Sequence, residues 1–324
     1  MVIDSIMLRM LARLGQTRAF CSVAMPEVVK DYADVLIVTT DLVHASGLEG
    51  IMRKNPEKII NVGIAEQNMV SIASGLAVEN FCVFAIGYAS FIATRSIDQI
   101  RLNILAMETN VKLVGIWSGV ALELGVSHYA TEDIAIMRSM PGMIILSPAD
   151  GLEAYKMALA AASVRRPVYI RLSGLMESPS VYKDDYDFSI GQAVKIAEGD
   201  DVAILATGAM VYESIRAEAI LKDKGISCAV YNFHTINPLD TEALNEIFAK
   251  YKLIVTAEEH SARGGLGGAV AEYKTSFTNM PRQIILGLPD GLLKAGSQKY
   301  IWDLAGITGE RIATRILGEM AGVK

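Results

Sequence analysis

Cysteine is scarce in this chain: Cys21, Cys82 and Cys228 are three thiols in 324 residues, far apart and odd in number, with no CxxC pair. That excludes a disulfide framework and suits free buried thiols in a reducing compartment. Positive charge is also sparse, 30 Lys and Arg against 36 Asp and Glu, and the net charge of −6 comes without a basic patch. A nucleic-acid surface needs concentrated Lys and Arg, so that class is excluded. No apolar run reaches membrane-spanning length, and Met1-Val2-Ile3-Asp4-Ser5 opens without a basic region followed by a long apolar stretch. The expectation is a soluble, cytoplasmic protein. Aromatics make up only 7%, whereas hydrophobic residues reach 52% with 27 glycines. Such a composition reads as a well-buried α/β protein, and the length suffices for two domains.

Apolar strand-like runs alternate with helical periodicity, the pattern of parallel sheets covered on both faces. The runs 35–39, 82–85, 112–117, 143–146 and 168–171 form one set, and 202–206, 228–232 and 253–256 a second. Between Gly174 and Phe188 the pattern lapses into Glu177-Ser178-Pro179-Ser180 and the acidic Asp184-Asp185-Tyr186-Asp187. That stretch reads as a linker. The expected fold is therefore two α/β domains, residues 1–180 and 188–324, each around a parallel or mixed sheet. No low-complexity segment or short-period repeat interrupts them.

The segment Val62-Gly63-Ile64-Ala65-Glu66-Gln67-Asn68-Met69 carries the most chemistry. It resembles the carboxylate motif of transketolase and of deoxyxylulose-phosphate synthase, and the resemblance runs from about Phe20 to the end of the chain, covering a pyrimidine-binding domain followed by a transketolase C-terminal domain. The resemblance implies thiamine diphosphate as cofactor, with Glu66 hydrogen-bonded to N1′ of its aminopyrimidine so that the 4′-imino group can deprotonate the thiazolium ring. A carboxyl in that role needs a desolvated pocket, which raises an acid's pKa. Read without the family, Glu66 in the first turn of a helix 65–78 simply favours the helix dipole.

The resemblance extends to further positions. Thr40-Asp41-Leu42 resembles an Ala-Asp-Leu step beside the cofactor, at the carboxyl end of a strand where open α/β sheets bind ligands. An Asp after a strand equally caps the next helix. Tyr88 and Phe91, in Gly87-Tyr88-Ala89-Ser90-Phe91, resemble the residues that supply aromatic rings to the aminopyrimidine; their spacing of three also suits packing on one helical face. Asp98-Gln99-Ile100-Arg101 would continue that helix. His128, in Gly125-Val126-Ser127-His128, resembles the histidine of Gly-Pro-Thr-His that faces the sugar donor. Arg138 and Arg171 align with phosphate-contacting arginines, for which a planar guanidinium is suited, and either serves as well in a structural ion pair.

Two departures bear on the substrate. Ile116-Trp117-Ser118 stands where full-length transketolases carry a Thr-His-Asp-Ser stretch, and Leu124 replaces an aspartate that reads a substrate hydroxyl. Lost hydrogen-bond partners change which sugar fits. The expectation is a non-standard sugar, deoxygenated or sulfonated, with His44 taking over part of the recognition. In the second domain, Thr207-Gly208-Ala209 and the Glu258–Gly268 stretch that opens a helix lack GxGxxG spacing, so His260 and its glycines, and His234 in its loop, are assigned to packing.

The magnesium-diphosphate signature, Gly-Asp-Gly followed some way on by Asn, is missing: Ala149-Asp150-Gly151 and Pro289-Asp290-Gly291 lack both the leading glycine and the asparagine. The resemblance then implies no metal ligand in this chain, with Mg2+ and diphosphate held by a separate N-terminal-section polypeptide in a symmetric α2β2 assembly. The activity expected is ketol transfer between sugars as half of a split transketolase. A 2-oxo acid dehydrogenase β subunit, a deoxyxylulose-phosphate-synthase-like enzyme and a non-catalytic scaffold or regulatory paralogue are the alternatives.

Overall fold

The computed structural model describes residues 3–121, 123–174, 179–291 and 294–321. Twelve strands among them form two sheets. The first combines β1 (Val35–Thr39), β2 (Ile59–Asn61), β3 (Cys82–Tyr88), β4 (Val111–Ser118), β5 (Ile144–Leu146), β6 (Val168–Ser173) and β10 (Thr235–Asn237), in the order β10-β5-β6-β4-β3-β1-β2. The second contains β7 (Val194–Ala197), β8 (Val202–Ala206), β9 (Cys228–Asn232), β11 (Leu253–Ser261) and β12 (Arg282–Leu288), in the order β12-β11-β8-β9-β7. Each sheet is parallel except for one antiparallel edge, β10 on β5 and β7 on β9. The fold is thus two mixed α/β sheets.

Alternation along the strands builds the layers. Phe84 and Ile86 of β3 face one core while Val83 and Ala85 face another, because successive side chains leave a strand on opposite sides. The first of these cores also takes Val202, Ile204 and Ala206 of β8, so it lies between the two sheets. A third core, around Leu205, Ala229 and Ile254, covers the far face of the second sheet. Helices supply the layers between. The helix Ser5–Arg18, capped by Asp4 through the amides of Ile6 and Met7, packs on the helix Gly151–Ser163.

The two halves are laced together. β10 belongs to the C-terminal half of the sequence yet adds to the edge of the first sheet, with Asn237 Nδ2 donating to the Met143 carbonyl at 2.6 Å. The described part of the expected linker is packed down: Asp150 caps the helix Gly151–Ser163 and accepts from the amides of Val181 and Tyr182, while Tyr182 and Tyr186 stack at 4.1 Å and both donate to Glu153. Burial pushes the Asp150 carboxyl up to about 6 despite these donors. Glu177 and Ser178 lie outside the described residues.

Three local expectations are corrected. Glu258 and His260 are strand residues, since β11 runs to Ser261 and the following helix starts at Leu266. Tyr88 ends β3 rather than sharing a helical face with Phe91. The helix Ala89–Arg95 stops at Ser96, so Asp98 and Gln99 lie in a separate short turn, Ile97–Gln99.

Candidate functional site

In the sheet order β4-β3-β1-β2, four neighbouring parallel strands end on one side, and the chain leaves each of those ends carrying a residue singled out above. Asp41 follows β1, Glu66 follows β2, Tyr88 closes β3, and the loop holding His128 follows β4. Parallel topology alone brings them to one rim.

Asn61 ties the first two ends together. Its Oδ1 accepts from the amides of Asp41 at 2.9 Å and Gly63 at 3.1 Å, and its Nδ2 donates to Asp41 Oδ1 at 3.1 Å. Asp41 holds a left-handed φ of 61°, a conformation Asp tolerates better than most residues. It does not cap the next helix, whose N-cap is Leu42, itself buried. His44 is turned outward, 93% exposed, and pairs with Glu49 at 2.6 Å.

Glu66 opens the helix Glu66–Val78 and is only 5% exposed although it borders a groove of about 470 Å³. The groove is lined by Ile64, Ala65, Glu66, Gln67, Asn68 and Arg95. Arg95 Nη1 lies 3.2 Å from Glu66 Oε2, and its guanidinium carbon sits 3.7 Å from the centre of the Phe91 ring. Phe91, Tyr88 and His128 form a cluster of rings: Tyr88 meets Phe91 edge-on at 5.7 Å, and His128 lies 5.1 Å from Phe91 and 5.9 Å from Tyr88. Ser127 Oγ is 3.0 Å from His128 Nδ1. Arg95 therefore links a buried carboxylate to an aromatic cluster of the kind that packs against a flat ring.

The loop from β4 to His128 depends on Gly119, at φ 68°, where an added Cβ would fall 2.3 Å from the Glu259 carboxyl. Glu259, fully buried, accepts from the Val120 amide, Gln298 Nε2 and Trp302 Nε1, tying this loop to the C-terminal half. Ile116 points into the core, whereas Leu124 and Val126 are exposed.

The two arginines lie elsewhere. Arg171 is 4% exposed: its Nε bonds the Asp133 carboxylate at 2.9 and 3.1 Å, and its Nη2 donates to the Ala130 and Glu259 carbonyls. Arg138 donates to the Gly264 and Gly265 carbonyls and pairs with Glu272 at 2.6 Å. Neither lines the groove. Both bind across the seam between the halves. His260 and His234 are fully buried, the first accepting from the Ala135 amide at Nε2, the second 4.5 Å from the Phe188 ring.

Asn61, Arg95 and Glu259 escaped the sequence reading. Asn61 directly precedes the Glu66 segment and Arg95 follows Phe91 by one helical turn, which is the signal that could have found them. Glu259 offers no such local cue.

Comparison with known proteins shows the family. The transketolase pyrimidine-binding domain model matches residues 15–175 and the transketolase C-terminal domain model residues 191–312. A putative transketolase C-terminal section of Methanocaldococcus jannaschii is 35% identical over 298 residues, 91% of this chain and 93% of that one. An apulose-4-phosphate transketolase subunit of Phocaeicola vulgatus is 35% identical over 293 residues, 90% and 93% of the two chains. The chain belongs to the transketolase family. A solved split-gene transketolase, described as an inactive beta4 tetramer, superposes with a TM-score of 0.85 at 31% identity, over 94% of this chain and 97% of that one. Transketolase membership implies thiamine diphosphate. Among the described residues no group of three or more His, Cys, Asp or Glu is placed to hold a metal ion, and no helix is long and apolar enough to cross a membrane.

Proposed function

We propose that this chain is the C-terminal, β subunit of a split transketolase, which moves a two-carbon ketol unit from an anionic ketose to an aldose. The observation that carries the reading is the buried Glu66 carboxylate, joined through Arg95 to the Tyr88–Phe91–His128 rings at one strand-end rim. The site fits the pyrimidine half of thiamine diphosphate: a planar group, the Arg95 guanidinium, already lies over Phe91 while bonded to Glu66, so a flat ring with a hydrogen-bonding edge finds the same partners once that side chain moves aside. When bound, the cofactor would supply the nucleophilic carbon and the electron sink that breaking the ketose carbon–carbon bond requires.

This chain's residues do the rest. Glu66 would hydrogen-bond the pyrimidine nitrogen through its carboxyl group, Phe91 and Tyr88 would keep water from the ring, and Asp41 and Leu42 would close the neighbouring rim. His128, steadied by Ser127, exchanges hydrogen bonds with the sugar hydroxyls. Arg171 is assigned to a structural role, its Nε held by Asp133 and its Nη2 by the Ala130 and Glu259 carbonyls, and Arg138 to the seam near Gly264, leaving the sugar's anionic end to other contacts. His44, free in solvent apart from Glu49, is available to the substrate or the partner.

Magnesium and diphosphate are assigned to an N-terminal-section partner in an α2β2 assembly, because the Gly-Asp-Gly signature is missing from this chain. Ile64 and Leu124, exposed by 77% and 62% beside the groove and on the His128 loop, suit burial by that partner. We assign residues 1–180 to the pyrimidine-binding domain and 188–324 to the C-terminal domain, in a cytoplasmic enzyme. The sugar is a modified one: Leu124 stands where the family reads a hydroxyl, and a 35% identical relative is a transketolase subunit for apulose 4-phosphate.

The test is to isolate the chain with its native partner, add magnesium and thiamine diphosphate, and offer ketose donors with ribose 5-phosphate. Ketol transfer establishes the class. Preference for branched, deoxygenated or sulfonated ketoses over xylulose 5-phosphate is expected, and the reverse ranking refutes the modified sugar.

A further inference from the structure

The proposed reading uses Arg95 as a bridge and gives it no role of its own. Its guanidinium is flat, cationic and a hydrogen-bond donor, and it lies 3.7 Å over the Phe91 ring while bonding Glu66 at 3.2 Å. Those are the two contacts that an aminopyrimidine would make. We propose that Arg95 is a resident stand-in for the pyrimidine ring, holding Glu66 and Phe91 in place until the cofactor arrives and turning out of the subsite to admit it. The proposal rests on the cofactor assignment above and adds a residue that sets cofactor affinity.

Three observations support a side chain that leaves while its backbone stays. The Arg95 side chain is 49% exposed, so solvent is open to it, whereas the Glu66 side chain is 6% exposed and cannot follow. Gln67 Nε2 donates to the Arg95 carbonyl at 3.1 Å, fixing the main chain to the start of the Glu66 helix. Among the described residues, Arg95 is the one side chain bonded to the Glu66 carboxylate, and a buried carboxylate without a partner is unfavourable. The guanidinium thus meets the need that the ring's edge later meets, and the cofactor binds against this competitor.

The experiment measures thiamine diphosphate binding, with magnesium, to the assembly isolated with its native partner. An exposed cation–π contact and a part-exposed ion pair are modest terms, so Arg95→Ala should bind the cofactor about fivefold to tenfold more tightly than wild type. Arg95→Lys, which keeps the charge but loses the planar fork, should fall between. Sub-denaturing guanidinium chloride, compared with sodium chloride at equal ionic strength, should weaken cofactor binding to Arg95→Ala by refilling the subsite. In the full chain alone, the Arg95 side-chain N–H signal should be shifted upfield by the Phe91 ring, and Phe91→Leu should remove that shift. Unchanged or weaker binding by Arg95→Ala overturns the stand-in role while leaving the cofactor assignment in place. Binding to neither assembly overturns both.

Discussion

Glu66 and Lys112 are both buried charged residues, and their surroundings give them different work. Glu66 borders open space and keeps a half-exposed partner, an arrangement that lets the carboxyl exchange one neighbour for another. Glu66→Gln preserves its size and removes the exchangeable carboxyl proton. Turnover by the assembled enzyme should fall by roughly a hundredfold or more, while co-purification with the partner is retained. Wild-type rates in that variant would end the assignment. Lys112, at the start of β4 and fully buried, instead directs Nζ to Asn110 Oδ1 and to the Val164 and Arg166 carbonyls within 2.7 Å. Lys112→Met orphans these acceptors, and a loss of about 3 kcal/mol in denaturant-unfolding stability is expected with the site itself intact. Neither role can be read from the residue type alone.

At the scale of elements, the central strands were legible and the edges were not. Val35–Thr39, Val202–Ala206 and Cys228–Asn232 coincide with apolar runs in the sequence, because a strand covered on both faces must be apolar at nearly every position. Val194–Ala197, Thr235–Asn237 and Arg282–Leu288 went unread, and Ile59–Asn61 showed only as a short apolar run before the Glu66 helix; these are the four edge strands. An edge strand is short or half exposed, so its run carries polar residues. The β9–β10 connection adds a pH signature. Burial lowers the pKa of His234, whose Nδ1 contacts Thr235 Oγ1 at 2.9 Å. The folded chain then takes up this proton less readily than the unfolded chain, so the stability contributed above about pH 6.5 is lost as pH falls through the folded value. The urea-midpoint gap between wild type and His234→Leu should therefore narrow from pH 7.5 to pH 5.5. A pH-independent gap would assign His234 to packing without this linkage.

At the scale of the whole molecule, the two halves share a core and are bridged by buried acids: Glu153 to the linker tyrosines and Asn232, Glu259 to Val120 and Trp302. A preformed half of this kind suits docking to the partner proposed above. Native mass spectrometry of the isolated assembly should show two copies of each chain, with thiamine diphosphate retained only when the partner is present. Retention by this chain alone would assign the diphosphate site here. The central apolar strands and the family resemblance of the Val62–Met69 segment were legible in the sequence by itself, since each is written in neighbouring residues. Only the tertiary structure decided that Arg171 is held by Asp133 and two buried carbonyls, that Ile116 faces the core, and that Arg95 bridges Glu66 and Phe91. The Arg171 contacts and the Arg95–Glu66 pair depend on which strands lie side by side, a property of sheet order that no local spacing encodes.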